Sequence, residues 1–333
     1  MGRSTNSLRQ QRRVAWFLLV SSILAFACWQ VGYTRIFSSF GLLDDEGYML
    51  SLLRETSRGG ALYSEIYSQY GPLYHWVWNG LFSLLGLDYT HDNGRLVTLS
   101  CWILSTIIMA IAAWRQSRSV LQAAATQVMS FFVLTFLANE PMHPIGLLSV
   151  LLSTLYLVLT LKVSSNVRSF ESGCLVAAMG AVKINFGVLS GIAIMTTFLW
   201  QLPLARKNKF TQLLSLLPIV PGLWLVRSNR MLAILIALCL ITVWIAMVIR
   251  PREELGLSLP IRPWLLGAVL TLASIVIISN VGIGDLMQGT IIRPLGLKDI
   301  FYVPFRVPNL LVVNAMVAVL LSAYACRYKE SSK

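Results

Sequence analysis

Apolar residues fall in long blocks separated by short polar stretches. The blocks at 14–34, 96–114, 120–138, 144–161, 212–226, 231–249, 264–281 and 309–326 each predict a membrane-crossing helix, since a crossing takes about 20 mainly apolar residues. The block 231–249 is uninterrupted, whereas Pro218 and Pro221 kink 212–226. Two further stretches are ambiguous. Residues 73–90 are long enough to cross but carry His75, Asn79 and several aromatics, and 173–201 has room for two short crossings broken at Lys183-Ile184-Asn185.

Charge arranges these blocks. Cytoplasmic loops of membrane proteins concentrate Lys and Arg. If 73–90 lies along the interface and 173–201 crosses twice, 17 of the 27 Lys and Arg fall inside; the other arrangement divides them 14 to 13. The first is preferred. It predicts an all-α polytopic membrane protein with ten or eleven transmembrane helices, both termini cytoplasmic and a long first external loop. The whole chain, 1–333, reads as one integral membrane domain. The N-terminal run continues to Tyr33, long for a signal peptide, so an uncleaved first helix is expected.

Composition agrees. Hydrophobic residues make up 56% and charged ones 12%, against about 45–50% and about 25% in soluble domains. Mean hydropathy is +0.69. A cytosolic enzyme, a disordered chain and a small disulfide scaffold are excluded. The net charge of +13 is read as cytoplasmic anchoring, not nucleic-acid binding, because no basic block with interleaved aromatics occurs. The five cysteines each lie inside an apolar run without metal-ligand spacing and read as packing residues.

The acids are as one-sided as the bases. Ten of fourteen fall outside under this topology, and Asp44, Asp45 and Glu46 are consecutive. Orientation does not require this, since acids contribute little to it. Adjacent carboxylates supply a general base or hold a hard divalent cation through oxygen; the plain alternative is a solvated loop. Residues 59–76 of the same external loop are rich in Tyr and Trp, with turns at Gly59-Gly60 and Gly71-Pro72. Such aromatics anchor a protein at the headgroups, and beside carboxylates they also suit a sugar ring.

In order along the chain come Asp45-Glu46-x-Tyr48, Gly60-x-Leu62-Tyr63, Tyr70-Gly71-Pro72-Leu73, Leu85-Gly86 and Arg95-Leu96. This ordered set resembles the GT-C-fold glycosyltransferases that use polyprenyl-phosphate sugars, specifically the bacterial members related to protein O-mannosyltransferases and to the lipid A aminoarabinose transferase. The resemblance covers roughly 14–200, a GT-C-like catalytic module, and more loosely 280–308; residues 201–333 would add further transmembrane helices and an external loop at 282–308. It implies a catalytic position at Asp45 with Glu46, Tyr48 in the same helical segment, and a substrate cavity bordered by Tyr70 to His75. Glu140 resembles the second acidic position, and Lys183-Ile184-Asn185-Phe186-Gly187 resembles the Lys-centred break between later helices. The family's second acid is usually Asp where this chain has Glu140, and many relatives carry more helices or a soluble C-terminal domain.

The implied activity is transfer of a sugar from a polyprenyl-phosphate donor to a lipid, glycan or protein acceptor, on the extracytoplasmic face of the cell (inner) membrane. Asp45 would deprotonate the acceptor, giving inversion in one displacement. Lys183, Arg293 and Arg306 are the candidate cations for the lipid phosphate. A divalent metal (Mg or Mn) between Asp45 and Glu140 is compatible with this chemistry and not required by it, and no other cofactor is expected. His143, three residues after Glu140, and His75 are weaker ligand candidates, and Arg95 follows Asp92 closely enough to pair with it. Two other function classes stay open, a polytopic transporter or lipid flippase and a non-catalytic homologue.

Overall fold

The computed structural model describes residues 2–38, 45–137, 140–201 and 259–293. The expected spans 212–226, 231–249 and 309–326, with Asp44 and Arg306, lie outside the described residues.

Among the described residues ten α-helices follow in chain order: α1 (Gly2–Ser38), α2 (Asp45–Ser57), α3 (Pro72–Leu85), α4 (His91–Ser117), α5 (Val120–Leu137), α6 (Ile145–Thr160), α7 (Ser165–Val182), α8 (Ile184–Gln201), α9 (Ile261–Ser279) and α10 (Ile283–Met287). A π-helical turn, Gln288–Ile292, closes the described chain. Among the described residues no strand forms; a single bridge joins Leu62 and Ile66. Among the described residues three helices, Gln10–Ser38 of α1, α4 and α9, are long and apolar enough to cross a membrane. The fold is therefore all-helical and compatible with a membrane protein.

The chain divides into two units, Met1–Gly187 with Arg262–Gly296, and Val188–Ile261 with Leu297–Lys333. In the first unit α4 is the central helix, packed against α1, α5 and α6. Its Leu99 and Trp102 meet Cys28 and Ile36 of α1 and Phe131 of α5 in one buried cluster. Nearer the other end of α1, Phe17 stacks on Trp114 at 4.9 Å. A buried polar link between α1 and α5 is satisfied: Ser21 Oγ donates to Gln127 Oε1 at 2.8 Å, and Gln127 Nε2 donates back to the Ser21 carbonyl at 3.1 Å. Paired polar side chains are what a low-dielectric core tolerates.

Both ambiguous stretches resolve as helices. Residues 73–90 contain α3, whose 14 residues rise only about 21 Å, short of a bilayer core. Gly71 caps its start, Pro72 occupies its first turn, and Gly86 ends it at φ 62° with its N–H on the Phe82 and Ser83 carbonyls. In 173–201 the chain is broken at Lys183, between α7 and α8 of 18 residues each. Lys183 itself is extended, at φ −151° and ψ 113°. Cys28, Cys101 and Cys174 are free thiols.

Candidate functional site

The site is assembled on the α2–α3 loop, the start of α2, the α5–α6 connection and the α7–α8 break. Asp45 and Glu46 open α2, where the helix N-terminus favours carboxylates. Neighbours on a helix point about 100° apart, so the two acids face different surroundings. Glu46 is buried against α4: Arg95 Nε donates to Glu46 Oε1 at 3.0 Å and to Oε2 at 3.3 Å, and Nη2 donates to Oε2 at 3.0 Å. His91 Nδ1 lies 3.3 Å from the same carboxylate, and the Arg95 guanidinium lies 5.7 Å from the centre of the Phe37 ring. Arg95 is thus bound to Glu46, 49 residues away, whereas its proximity in sequence suggested Asp92. Glu46 is an anchor of α2 on α4.

Asp45 faces the other way, into a group drawn from three further segments. Its carboxyl lies beside that of Glu140, and both sit close enough to Lys183 to act on its charge. The Lys183 ammonium lies 5.3 Å from the centre of the Tyr70 ring, a cation–π contact. Tyr70 stands edge-on to His143 at 5.8 Å. Burial pushes the Glu140 carboxyl up; the Asp45 charge adds to this and Lys183 opposes it. Burial pulls the Lys183 ammonium down while Glu140 and Asp45 push it back up. The His143 imidazole is driven down to about 3 by burial and by Lys183, which keeps it neutral at ordinary pH. Two facing carboxylates and one buried ammonium therefore balance each other, the pattern that marks candidate reactive groups.

Local structure explains why Tyr70 and Lys183 meet. Gly71 N–H donates to the Val182 carbonyl at 2.9 Å. A Cβ at Gly71 would run into the Ala181 carbonyl, so only glycine lets the α2–α3 loop dock on the end of α7. Tyr63 holds the same loop from within: its hydroxyl donates to the Tyr70 carbonyl at 2.7 Å, and its backbone sits at φ 74°, which is strained for a bulky side chain. On the far side, Tyr74 Oη donates to the Met142 carbonyl at 2.6 Å, and Met142 N–H donates to Thr98 Oγ1 at 2.8 Å. The turn bearing Glu140 and His143 is thereby fixed to α3 and α4.

Tyr48 and Arg293 extend the group. Tyr48 Oη donates to the Tyr67 carbonyl at 3.4 Å, and its hydroxyl is pushed up by burial, then by Tyr67 and Asp45. Arg293, just past the π-helical turn, donates from Nη1 to the Tyr63 carbonyl at 3.3 Å and lies 6.0 Å from the Tyr67 ring centre. Gly289 of that turn sits against the Tyr63 ring, where a Cβ would not fit. The expected site residues Asp45, Glu140, Lys183, Tyr70, Tyr48 and Arg293 form one connected neighbourhood. Glu46 does not share it; His75 adjoins it from behind the loop, its Nε2 3.0 Å from Ser68 Oγ, which also accepts from the Tyr70 N–H at 3.1 Å. Tyr63, noted only within the Gly60-x-Leu62-Tyr63 motif, and Tyr67, not singled out from the sequence, prove to be the links; the only sequence signal for Tyr67 is the density of tyrosine in 59–76.

Among the described residues no group of three or more His, Cys, Asp and Glu is arranged to hold a metal ion. Asp45 and Glu140 remain a two-carboxylate donor set, which suits an ion that keeps its waters or takes phosphate oxygens. No family model, no curated protein and no solved structure matches this chain.

Proposed function

We propose that the protein is a membrane glycosyltransferase of the GT-C type, moving a sugar from a polyprenyl-phosphate donor to an extracytoplasmic acceptor. In this reading the chain crosses the inner membrane ten or eleven times with both termini in the cytoplasm. One observation carries the proposal. Asp45, Glu140, Lys183 and Tyr70, dispersed over nearly 140 residues of sequence, converge with both acids facing one buried ammonium.

The chemistry follows from that geometry. Asp45 accepts the proton of the acceptor hydroxyl as its oxygen attacks the anomeric carbon. The bond from that carbon to the phosphate oxygen breaks, and the departing lipid phosphate keeps the electron pair. One displacement without a covalent intermediate inverts the anomeric centre. Lys183 and Arg293 are the described cations suited to the developing phosphate charge; Arg306 is a further candidate outside the described residues. Glu140, whose carboxyl lies beside that of Asp45, orients it. A divalent ion bound to the two carboxylates would supply additional positive charge for the same phosphate.

The test is sugar transfer from polyprenyl-phosphate donors in membranes, comparing the natural chain with Asp45→Asn. Loss of transfer in the variant supports the base assignment, and full retention overturns it. A transporter or flippase is the second reading, favoured by the helix break at Lys183. Solute or lipid translocation in proteoliposomes, without transfer to any acceptor, would select it.

A further inference from the structure

Arg95 and Arg115 mark the two ends of α4. They lie about 30 Å apart along the helix axis, the thickness of a bilayer's hydrocarbon core. The Asp45 group sits at the Arg95 end. At the other end Arg115 closes α4, Arg118 and Lys162 lie in the α4–α5 and α6–α7 connections, and Arg168 falls in the first turn of α7. Stacking of Phe17 on Trp114 brings Arg13, one turn earlier in α1, toward the same level. From Arg115 to Arg168 the sequence holds a single acid, Glu140, and it belongs to the opposite end.

A groove of about 730 Å³ leads to this basic rim. α5 and α6 each pack against α4 but scarcely against one another, and the groove is the gap between them. Its walls run from Ser149 to Leu159 along α6 and from Ala125 to Leu134 along α5, a depth of about 15 Å. That depth is one leaflet, half of the roughly 30 Å core. We infer that the groove holds an acyl chain of an anionic phospholipid, whose phosphate meets the cations at the rim. The site requires membrane insertion and not the transfer reading. A bilayer's thickness separates it from the Asp45 group, so its ligand is not the sugar donor.

The walls are apolar and adaptable. Met109 and Met129 line the groove, with Met129 63% exposed. Unbranched thioether side chains follow the irregular course of an acyl chain. Tyr156 marks the change from apolar to polar: it lines the groove, and its hydroxyl accepts from Gln116 Nε2 at 3.1 Å beside Arg115. A phenol also donates, which suits a glycerol ester carbonyl, and tyrosine favours headgroup depth. Lys162 is exposed three residues beyond Leu159, the last groove residue of α6. Arg168 fixes the loop that carries it, donating from Nη2 to the Leu161 and Val163 carbonyls at 2.9 and 3.2 Å. Charge then selects the lipid. Cations without a facing acid attract a net negative headgroup and repel the ammonium of a zwitterionic one.

Native mass spectrometry of the full chain in detergent, with dioleoyl phosphatidylglycerol or dioleoyl phosphatidylcholine added, tests the site. The acyl chains are identical, so only the headgroup differs. Phosphatidylglycerol should be retained about tenfold more strongly. Arg118→Gln with Lys162→Gln should remove most of that preference and leave phosphatidylcholine retention unchanged. Met129→Trp, which fills the groove from an exposed position, should weaken retention of both lipids. Circular dichroism reports the folding of each variant, and either variant alone decides the outcome. Absence of retained lipid or equal retention of the two lipids would overturn the inference. So would a preference unchanged in the folded variants, which puts the lipid elsewhere, or a second copy of the chain in place of lipid.

Discussion

Replacing Glu46 by leucine leaves the Arg95 guanidinium buried without its carboxylate. The natural pair is bound through three hydrogen bonds of 3.0–3.3 Å, with the two side chains only 7% and 10% exposed. Removing one partner of such a buried pair destabilises by about 3–5 kcal/mol, because the other charge loses its main compensation. The same range applies to Arg95→Met. Replacing both residues by apolar ones of similar size removes both desolvation penalties, so Glu46→Leu with Arg95→Met should recover most of the loss. Unfolding of the purified protein in mixed micelles of rising SDS content, read by circular dichroism, measures all four members of the cycle. Losses that simply add, with the double variant least stable, would refute an ion pair as the link between α2 and α4. They would also return Glu46 to the candidate reactive groups.

Gly71→Ala should lower stability by about 1–3 kcal/mol through overpacking against the Ala181 carbonyl, and thermal unfolding in detergent would show it. Burial holds His75 down to about 4 and His143 down to about 3, whereas an unfolded histidine titrates near 6.5. Between those values the unfolded chain binds more protons, so stability is complete above about pH 6.5 and falls as pH drops toward 4. Thermal melts across that window should show the slope, and His75→Gln together with His143→Gln should flatten it. Lys183→Met removes the charge that opposes the upward shift of Glu140; the acidic limb of the transfer pH profile should move to higher pH, and an unmoved limb would separate Lys183 from the pair.

Legibility in the sequence depended on how local each cause was. The break at Lys183 was readable because a lysine and an asparagine interrupt an otherwise apolar run, and the structure breaks the helix there. The start of α3 was readable from Gly71-Pro72, a pair that stops one element and starts another. The division of labour between Asp45 and Glu46 was not, because it depends on the direction each side chain takes from a helix whose neighbours are distant in sequence. Arg95 shows the same limit. Asp92 is three residues away and Glu46 is 49, yet packing of α2 on α4 delivers the farther partner. The strained Tyr63 and the seat of Gly289 on its ring arise from one segment pressing on another, which no local pattern records.

The central claim is that Asp45, and not Glu46, is the base of a sugar transfer. Its most direct measurement is the rate of transfer from a polyprenyl-phosphate sugar in membranes normalised to folded protein, for Asp45→Asn and for the Glu46→Leu, Arg95→Met double variant. The account predicts a loss of at least about a hundredfold for Asp45→Asn, the lower range of general-base contributions, with transfer largely preserved in the double variant. Equal loss in both, or an active Asp45→Asn, would contradict it.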